Sequence, residues 1–129
     1  DTGALTVGLN PGTIAKVKGL PALGGLIMIQ GIETLTVVAV EERLRDLEEL
    51  FAGDVIEVKR GLASVVVKSP REITQTAGVI AHLASVLALE RINVVEMMSS
   101  YTETCFVVGE EMALRCVELI REEIKRARG

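Results

Sequence analysis

The chain has 129 residues, of which 49% are hydrophobic and 25% charged, with a formal net charge of −4. That composition sustains a packed core in one ordinary domain or two small ones and argues against disorder. It argues equally against a nucleic-acid surface, which needs a basic stripe, and against a membrane span, which needs about 18 consecutive apolar residues. Aromatics are 2% and Trp is absent, so the core is expected to consist of Val, Ile, Leu, Ala and Met. No secretory signal is visible, and the start at Asp1 instead of Met reads as a trimmed chain with a segment upstream.

Ala4–Leu9 (ALTVGL) reads as a short strand closed by Asn10-Pro11-Gly12, which permits a turn into a helix. Thr13–Lys18 (TIAKVK) has room for a turn or two before Gly19, Pro21 and Gly24-Gly25 break it. Leu26–Ile29 and Glu33–Val40 are the next strands, the second rich in Thr and Val. Glu41–Ala52 (EERLRDLEELFA) is an amphipathic helix with Leu44, Leu47 and Phe51 on one face, stopped by Gly53. Val55–Arg60 and Ala63–Ser69 read as two strands joined at Gly61-Leu62, and Pro70 ends the second.

Gly78–Arg91 is a helix with Val79, Ile80, Leu83, Val86 and Leu87 on one side. Asn93–Tyr101 and Thr104–Val108 make a strand pair, with Val95 and Met97 on one face and Glu96 and Met98 on the other. Glu110–Arg126 is the longest helix, buried along Ala113, Cys116, Val117, Ile120 and Ile124. The order is β-α-β-β-α-β followed by β-α-β-β-α, an α+β arrangement of helices over antiparallel sheet.

Displacing the chain by about 70 residues aligns two segments without gaps. Met28 meets Met98, Glu33-Thr34 meets Glu103-Thr104, and Val37-Val38 meets Val107-Val108. Glu41, Leu44, Arg45 and Glu48 meet Glu111, Leu114, Arg115 and Glu118. This reads as a duplication. The copies differ ahead of their first helices: Pro11 runs directly into Gly12, whereas REITQTA separates Pro70 from Gly78. The second copy has no fourth strand, which leaves an open sheet edge. Either Val55–Arg60 serves the first copy or a partner subunit supplies the missing neighbour, and in both cases the copies are expected to pack together and the chain to dimerise.

The loop ahead of Gly78 is the expected site. Thr74, Gln75 and Thr76 offer polar side chains and N–H groups, and Gly78 stands at the mouth of an apolar helix. A helix N-terminus presents unpaired donors and a partial positive charge, so a carboxylate or phosphate can bind without Lys or Arg. The pocket reads as a binding site and not an active site.

The segment from Ala77 to Ile120, AGVIAHLASVLALERINVVEMMSSYTETCFVVGEEMALRCVELI, resembles the ACT domain family. It looks most like the tandem regulatory modules at the C-terminus of aspartokinases. The carrying features are the strand ending at Ser69-Pro70, the Gly78-Val79 helix start, Ile92-Asn93-Val94 opening the second strand, Ser99-Ser100, and the helix Met112–Ile120 after Phe106-Val107-Val108. The match spans residues 62 to 125, and the first half fits as a shortened copy. The resemblance implies two ferredoxin-like (βαββαβ) ACT-type modules, residues 1–61 and 62–129, each an antiparallel sheet with helices packed on one face. It implies a regulatory function: binding of a free amino acid near a module or dimer interface, in a cytoplasmic homodimer or higher homo-oligomer. Ile73, Thr74, Gln75, Thr76, Ala77, Gly78 and Val79 would then hold the carboxylate through backbone N–H groups. Asn93 and Val94 would contact the amine and position the ligand backbone, while Ser99, Ser100 and Thr102 would line the side-chain region. The sequence departs from many relatives in having Ser69 where an acidic residue often follows the first strand, and it carries no kinase domain.

Other residues read as structural. His82, the only histidine, has no second His or Cys spaced for a metal and is expected to face solvent or cap. Ser99 and Ser100 have no base partner for nucleophilic work. Cys105 and Cys116 read as small buried hydrophobes of a reducing compartment. Met97-Met98 reads as core filling. Glu33 and Glu103 read as hairpin residues, and Lys125, Arg126 and Arg128 complement a helix C-terminus. Gly12, Gly19 and Gly24-Gly25 lack the GK[ST] ending of a phosphate loop. No catalysis, metal or cofactor is expected, nor any nucleic-acid contact by this segment. The alternative is a purely structural dimerisation module of a larger regulator, with a DNA-binding segment before Asp1 and no ligand.

Overall fold

The computed structural model describes residues 2–20, 24–68, 79–100 and 103–128. The chain divides into two compact units, Asp1–Leu62 and Ala63–Gly129. Unit 1 contains β1 (Thr2–Gly8), α1 (Pro11–Val17), β2 (Ile27–Gln30), β3 (Thr34–Val40), α2 (Glu41–Leu50) and the first half of β4 (Val55–Lys68). Its strands lie in the order β2-β3-β1-β4, all paired antiparallel. Alternate residues of β1 (Leu5, Val7) and β3 (Leu35, Val37, Ala39) point to one side and pack with Leu44, Leu47 and Phe51. The apolar stripe of α2 closes that core as its spacing requires, and Glu41 and Glu42 in its first turn complement the helix dipole.

Residues 55–68 form one strand, not two joined at Gly61-Leu62. Thr2 pairs with Leu62 and Ala4 with Lys59, so three steps on β4 oppose two on β1 and a bulge absorbs the extra residue. Gly61 takes φ 69 there, a left-handed value that glycine adopts without a Cβ penalty. Its N–H donates to a Glu41 carboxylate oxygen (2.7 Å), so the bulge leaves no orphan donor. The glycine that reads locally as a strand breaker is the residue that lets the strand continue. The first half of β4 is thus the fourth strand of unit 1.

Unit 2 contains the second half of β4, α3 (Val79–Leu89), β5 (Val94–Ser100), β6 (Glu103–Gly109) and α4 (Ala113–Arg128), the last preceded by a 3-10 turn at Glu110–Met112. Its strand order is β4-β6-β5. Val65 and Val67 of β4 and Phe106 and Val108 of β6 pack under Leu83 and Leu87 of α3 and under Cys116, Leu119 and Ile120 of α4.

The elements recur between units, but the gapless register does not. Leu44 is fully buried while its aligned counterpart Leu114 is 73% exposed. The cause is the turn at Glu110–Met112: α2 begins directly after β3, whereas α4 begins three residues later and in a different phase. A second correction concerns Met97, which is 44% exposed and not core filling. It lies opposite Phe106 on β5, an edge strand of the unit with one paired neighbour.

α3 ends in a Schellman motif: Ile92 N–H donates to Leu87 O and Arg91 N–H to Ala88 O, both at 3.0 Å. Arg91 occupies the left-handed position, φ 59, that glycine usually fills. Arg91→Gly is expected to stabilise the chain by about 0.5 kcal/mol, because the strain relieved slightly outweighs glycine's extra unfolded-state entropy. Urea unfolding of the two chains, compared at equal slope, checks this.

Candidate functional site

α3 is built from residues that keep a helix apolar and compact, VIAHLASVLAL, and its first turn carries no acidic side chain. The positive end of its dipole is therefore not neutralised from within that turn, in contrast to α2 with Glu41 and Glu42. Val79 is the first helical residue among those described. Ile73, Thr74, Gln75, Thr76, Ala77 and Gly78, the expected carboxylate cradle, lie outside the described residues, as does Thr102.

The remaining expected contacts fall at two different ends of unit 2. The chain reverses at Arg91, so β5 runs back along α3 and brings Ser99 and Ser100 toward the end where α3 begins. Ser99 is exposed, and its hydroxyl lies 3.2 Å from that of Thr104. Asn93 and Val94 follow the C-terminus of α3, and an 11-residue helix separates them from Val79, about 16 Å of axis. Asn93 is exposed and Val94 half-buried opposite Val108. Within one chain, the structure does not bring these two residues to the start of α3.

The corresponding helix start in unit 1 is closed by its own side chains. Asn10 Oδ1 accepts from Thr13 N–H (2.9 Å) and Thr13 Oγ1 accepts from Asn10 N–H (2.7 Å), a reciprocal capping box. Asn10 Nδ2 also donates to Asp54 (2.9 Å), and Pro11 removes a further donor. α1 has only seven residues. Asn10→Ala is expected to cost about 1 kcal/mol of stability through loss of the cap. Urea unfolding of the variant checks this.

The sequence reading missed two features of unit 2. An apolar groove of about 680 Å³ runs between Ser64–Lys68 of β4 and the α4 residues Ala113, Leu114, Val117, Ile120, Arg121 and Ile124. On the opposite flank of α4, His82 pairs with Glu123 (2.7 Å). His82 is exposed as expected, but its partner is 41 residues away and no local pattern signals it.

Cys105 and Cys116 are buried free thiols, and burial pushes both above the ordinary thiol range, which makes them poor nucleophiles. Among the described residues, no group of three His, Cys, Asp or Glu side chains could hold a metal. Among them too, no helix is long and apolar enough to cross a membrane.

No protein-family model and no curated protein matches the sequence. Solved structures do. The aspartokinase alpha and beta subunits superpose with a TM-score of 0.76 at 15% identity, over 96% of this chain and 93% of that one. The ligand-free regulatory subunit of aspartate kinase from Thermus thermophilus gives 0.73 at 18% identity, over 95% and 90%. The fold is that of the aspartokinase regulatory subunits. The ACT resemblance read from the residues is thus a resemblance of fold as well. E. coli aspartokinase III in complex with lysine and aspartate gives 0.64 at 19% identity, and there this chain spans 31% of the neighbour's length.

Proposed function

We propose that the chain is a regulatory module that binds a free amino acid at the start of α3 in unit 2. The observation that carries this reading is the likeness, over nearly the whole of both chains, to a regulatory subunit of aspartate kinase, together with the likeness to part of an aspartokinase in complex with lysine and aspartate. In this reading the two units are ferredoxin-like ACT-type modules, with the boundary near residues 61–62. Ile73–Val79 hold the ligand carboxylate through backbone N–H groups, and Ser99, Ser100 and Thr102 line the side-chain region. Asn93 and Val94 stand a helix length away, so in this reading their contact with the same ligand comes from a second copy, across a homodimer interface. The chain performs no catalysis in this role, and its buried free thiols suit the reducing cytoplasm.

A thermal-shift screen of the twenty amino acids on the full chain tests this. A ligand that binds the folded state alone raises its stability by mass action, by about 2.7 kcal/mol at a hundredfold excess over Kd. At least one amino acid is expected to raise the midpoint. No shift with any of them at millimolar concentration would favour a purely structural dimerisation module.

A further inference from the structure

We infer that unit 2 carries a docking slot for one extended strand of another protein, apolar on the side turned to α4 and acidic at its rim. The first strand of unit 2 is Ala63–Lys68, the second half of β4. Its neighbour within the unit is β6; on the other side of β4, β1 reaches only as far as Thr2, opposite Leu62. No described strand pairs with the edge of Ala63–Lys68 turned away from β6. An open edge of that kind presents a row of unpaired N–H and C=O groups. The groove of about 680 Å³ lies between this stretch and α4.

Unit 1 shows what such a place holds. There the position beside the first strand, β1, is taken by Val55–Leu62 of β4 in antiparallel pairing. Val55 and Val58 pack onto the core, and Arg60 reaches Glu48 of α2 at 2.5 Å. The order of elements recurs in unit 2 up to its second helix, and the described residues supply no counterpart of that last strand. The groove is apolar: Val65 and Val67 belong to the core, Val117 and Ile124 pack against it half-buried, and Leu114 is exposed. The edge does little to repel a strand, since its one charge, Lys68, is its last residue and ASVVV precedes it.

Charge selects the occupant. Lys68 and Arg121 line the groove, and no acidic residue does. Both are exposed, and among the described residues neither has an ion-pair partner. Glu118, one turn from Arg121 on α4, is engaged by Arg115 at 3.6 Å. In unit 1 the helix offers an acid, Glu48, and the added strand brings a base, Arg60. In unit 2 both walls of the groove offer bases, so the strand that fits brings acids. A second copy turned onto the slot about a two-fold axis would present the same patch, with its own Lys68 and Arg121, and like charges would meet. The other edge strand of unit 2, β5, carries Glu96 and would repel an acidic strand. The occupant is thus an extended acidic segment of a different protein, added to the sheet by main-chain hydrogen bonds and seated by alternate apolar side chains. This inference does not rest on the amino-acid site proposed above.

The test is a fluorescence-anisotropy titration of the full chain with labelled synthetic peptides of about eight residues, a strand length. One alternates Val with Thr and Glu, a second has Lys in place of each Glu, and a third has proline in place of each Thr. The acidic peptide is expected to bind about tenfold more tightly than the basic one, and the proline peptide not at all, because proline cannot donate to the ladder. The preference for acid is expected to vanish in Arg121→Glu and to reverse when Lys68→Glu is added; both positions are exposed, so the fold is kept. Equal affinity for the acidic and basic peptides, a preference that neither substitution moves, binding that proline leaves intact, or no binding at millimolar concentration would overturn the slot. So would sedimentation of the free chain as a dimer that the acidic peptide dissociates, since a second copy would then be the occupant. No amino-acid ligand enters this measurement, so a chain that binds none leaves it intact.

Discussion

Replacing Gly78 by proline is expected to leave the chain folded and to weaken amino-acid binding by about 10- to 100-fold. The sequence sets Gly78 at the helix start, where an N–H has no intrahelical partner and proline is tolerated. What proline removes is one N–H donor from the proposed cradle of main-chain donors. A donor to a carboxylate is charge-assisted, about 1.5–3 kcal/mol, and the rest of the loop has no Lys or Arg beyond Arg71 to replace it. Circular dichroism together with a calorimetric titration separates the two effects. Full affinity in a folded variant would take Gly78 out of the site.

The largest effect on stability is expected from Phe106→Ala, about 4 kcal/mol. Phe106 is fully buried between the sheet of unit 2 and its two helices, among Leu83, Leu87, Cys116 and Ile120. The chain has two phenylalanines and no tryptophan, so the small aliphatic neighbours that would have to close the cavity are already in close contact. A domain of this size is stable by about 5–15 kcal/mol, so the loss is a large fraction of the whole. Phe106→Leu, which keeps most of the volume, is expected to cost less than half as much. Urea midpoints of the two variants give the comparison.

How much of this was legible in the sequence depended on whether the cause was local. The stripe Leu44, Leu47, Phe51 has helical spacing and ends before Gly53, and the structure buries all three. The stripe of α4 through Cys116 and Ile120 was legible for the same reason. The continuity of β4 was not, because Gly61 and Leu62 look like a turn until Glu41, twenty residues away, satisfies the bulge N–H. The capping box of α1 was half visible: Asn10-Pro11 reads as a turn, and only the reciprocal bond with Thr13 makes it a helix start. The false register of the repeat came from aligning residues across a short insertion of 3-10 turn that has no marker in composition. Met97 was misplaced because alternation tells which face a residue takes, not whether a neighbouring element covers that face.

The order of elements alone puts the strand-end serines Ser99 and Ser100 toward the end of unit 2 where α3 begins. It does not give the distance between Asn93 and that helix start, which follows from the reversal of the chain at Arg91. The closure of the helix start in unit 1 also emerges only from geometry: Asn10 accepts the Thr13 N–H, and Pro11 has no N–H to offer.

The central claim is that one unit of the two carries a cradle for an amino-acid carboxylate. Calorimetric titration of the full chain with the amino acid that gives the largest thermal shift tests it most directly. One ligand per chain, with the same stoichiometry in Asn10→Ala and weak or no binding in Gly78→Pro, is the predicted result. Two equivalent sites per chain, or no heat of binding from any of the twenty amino acids, would contradict it.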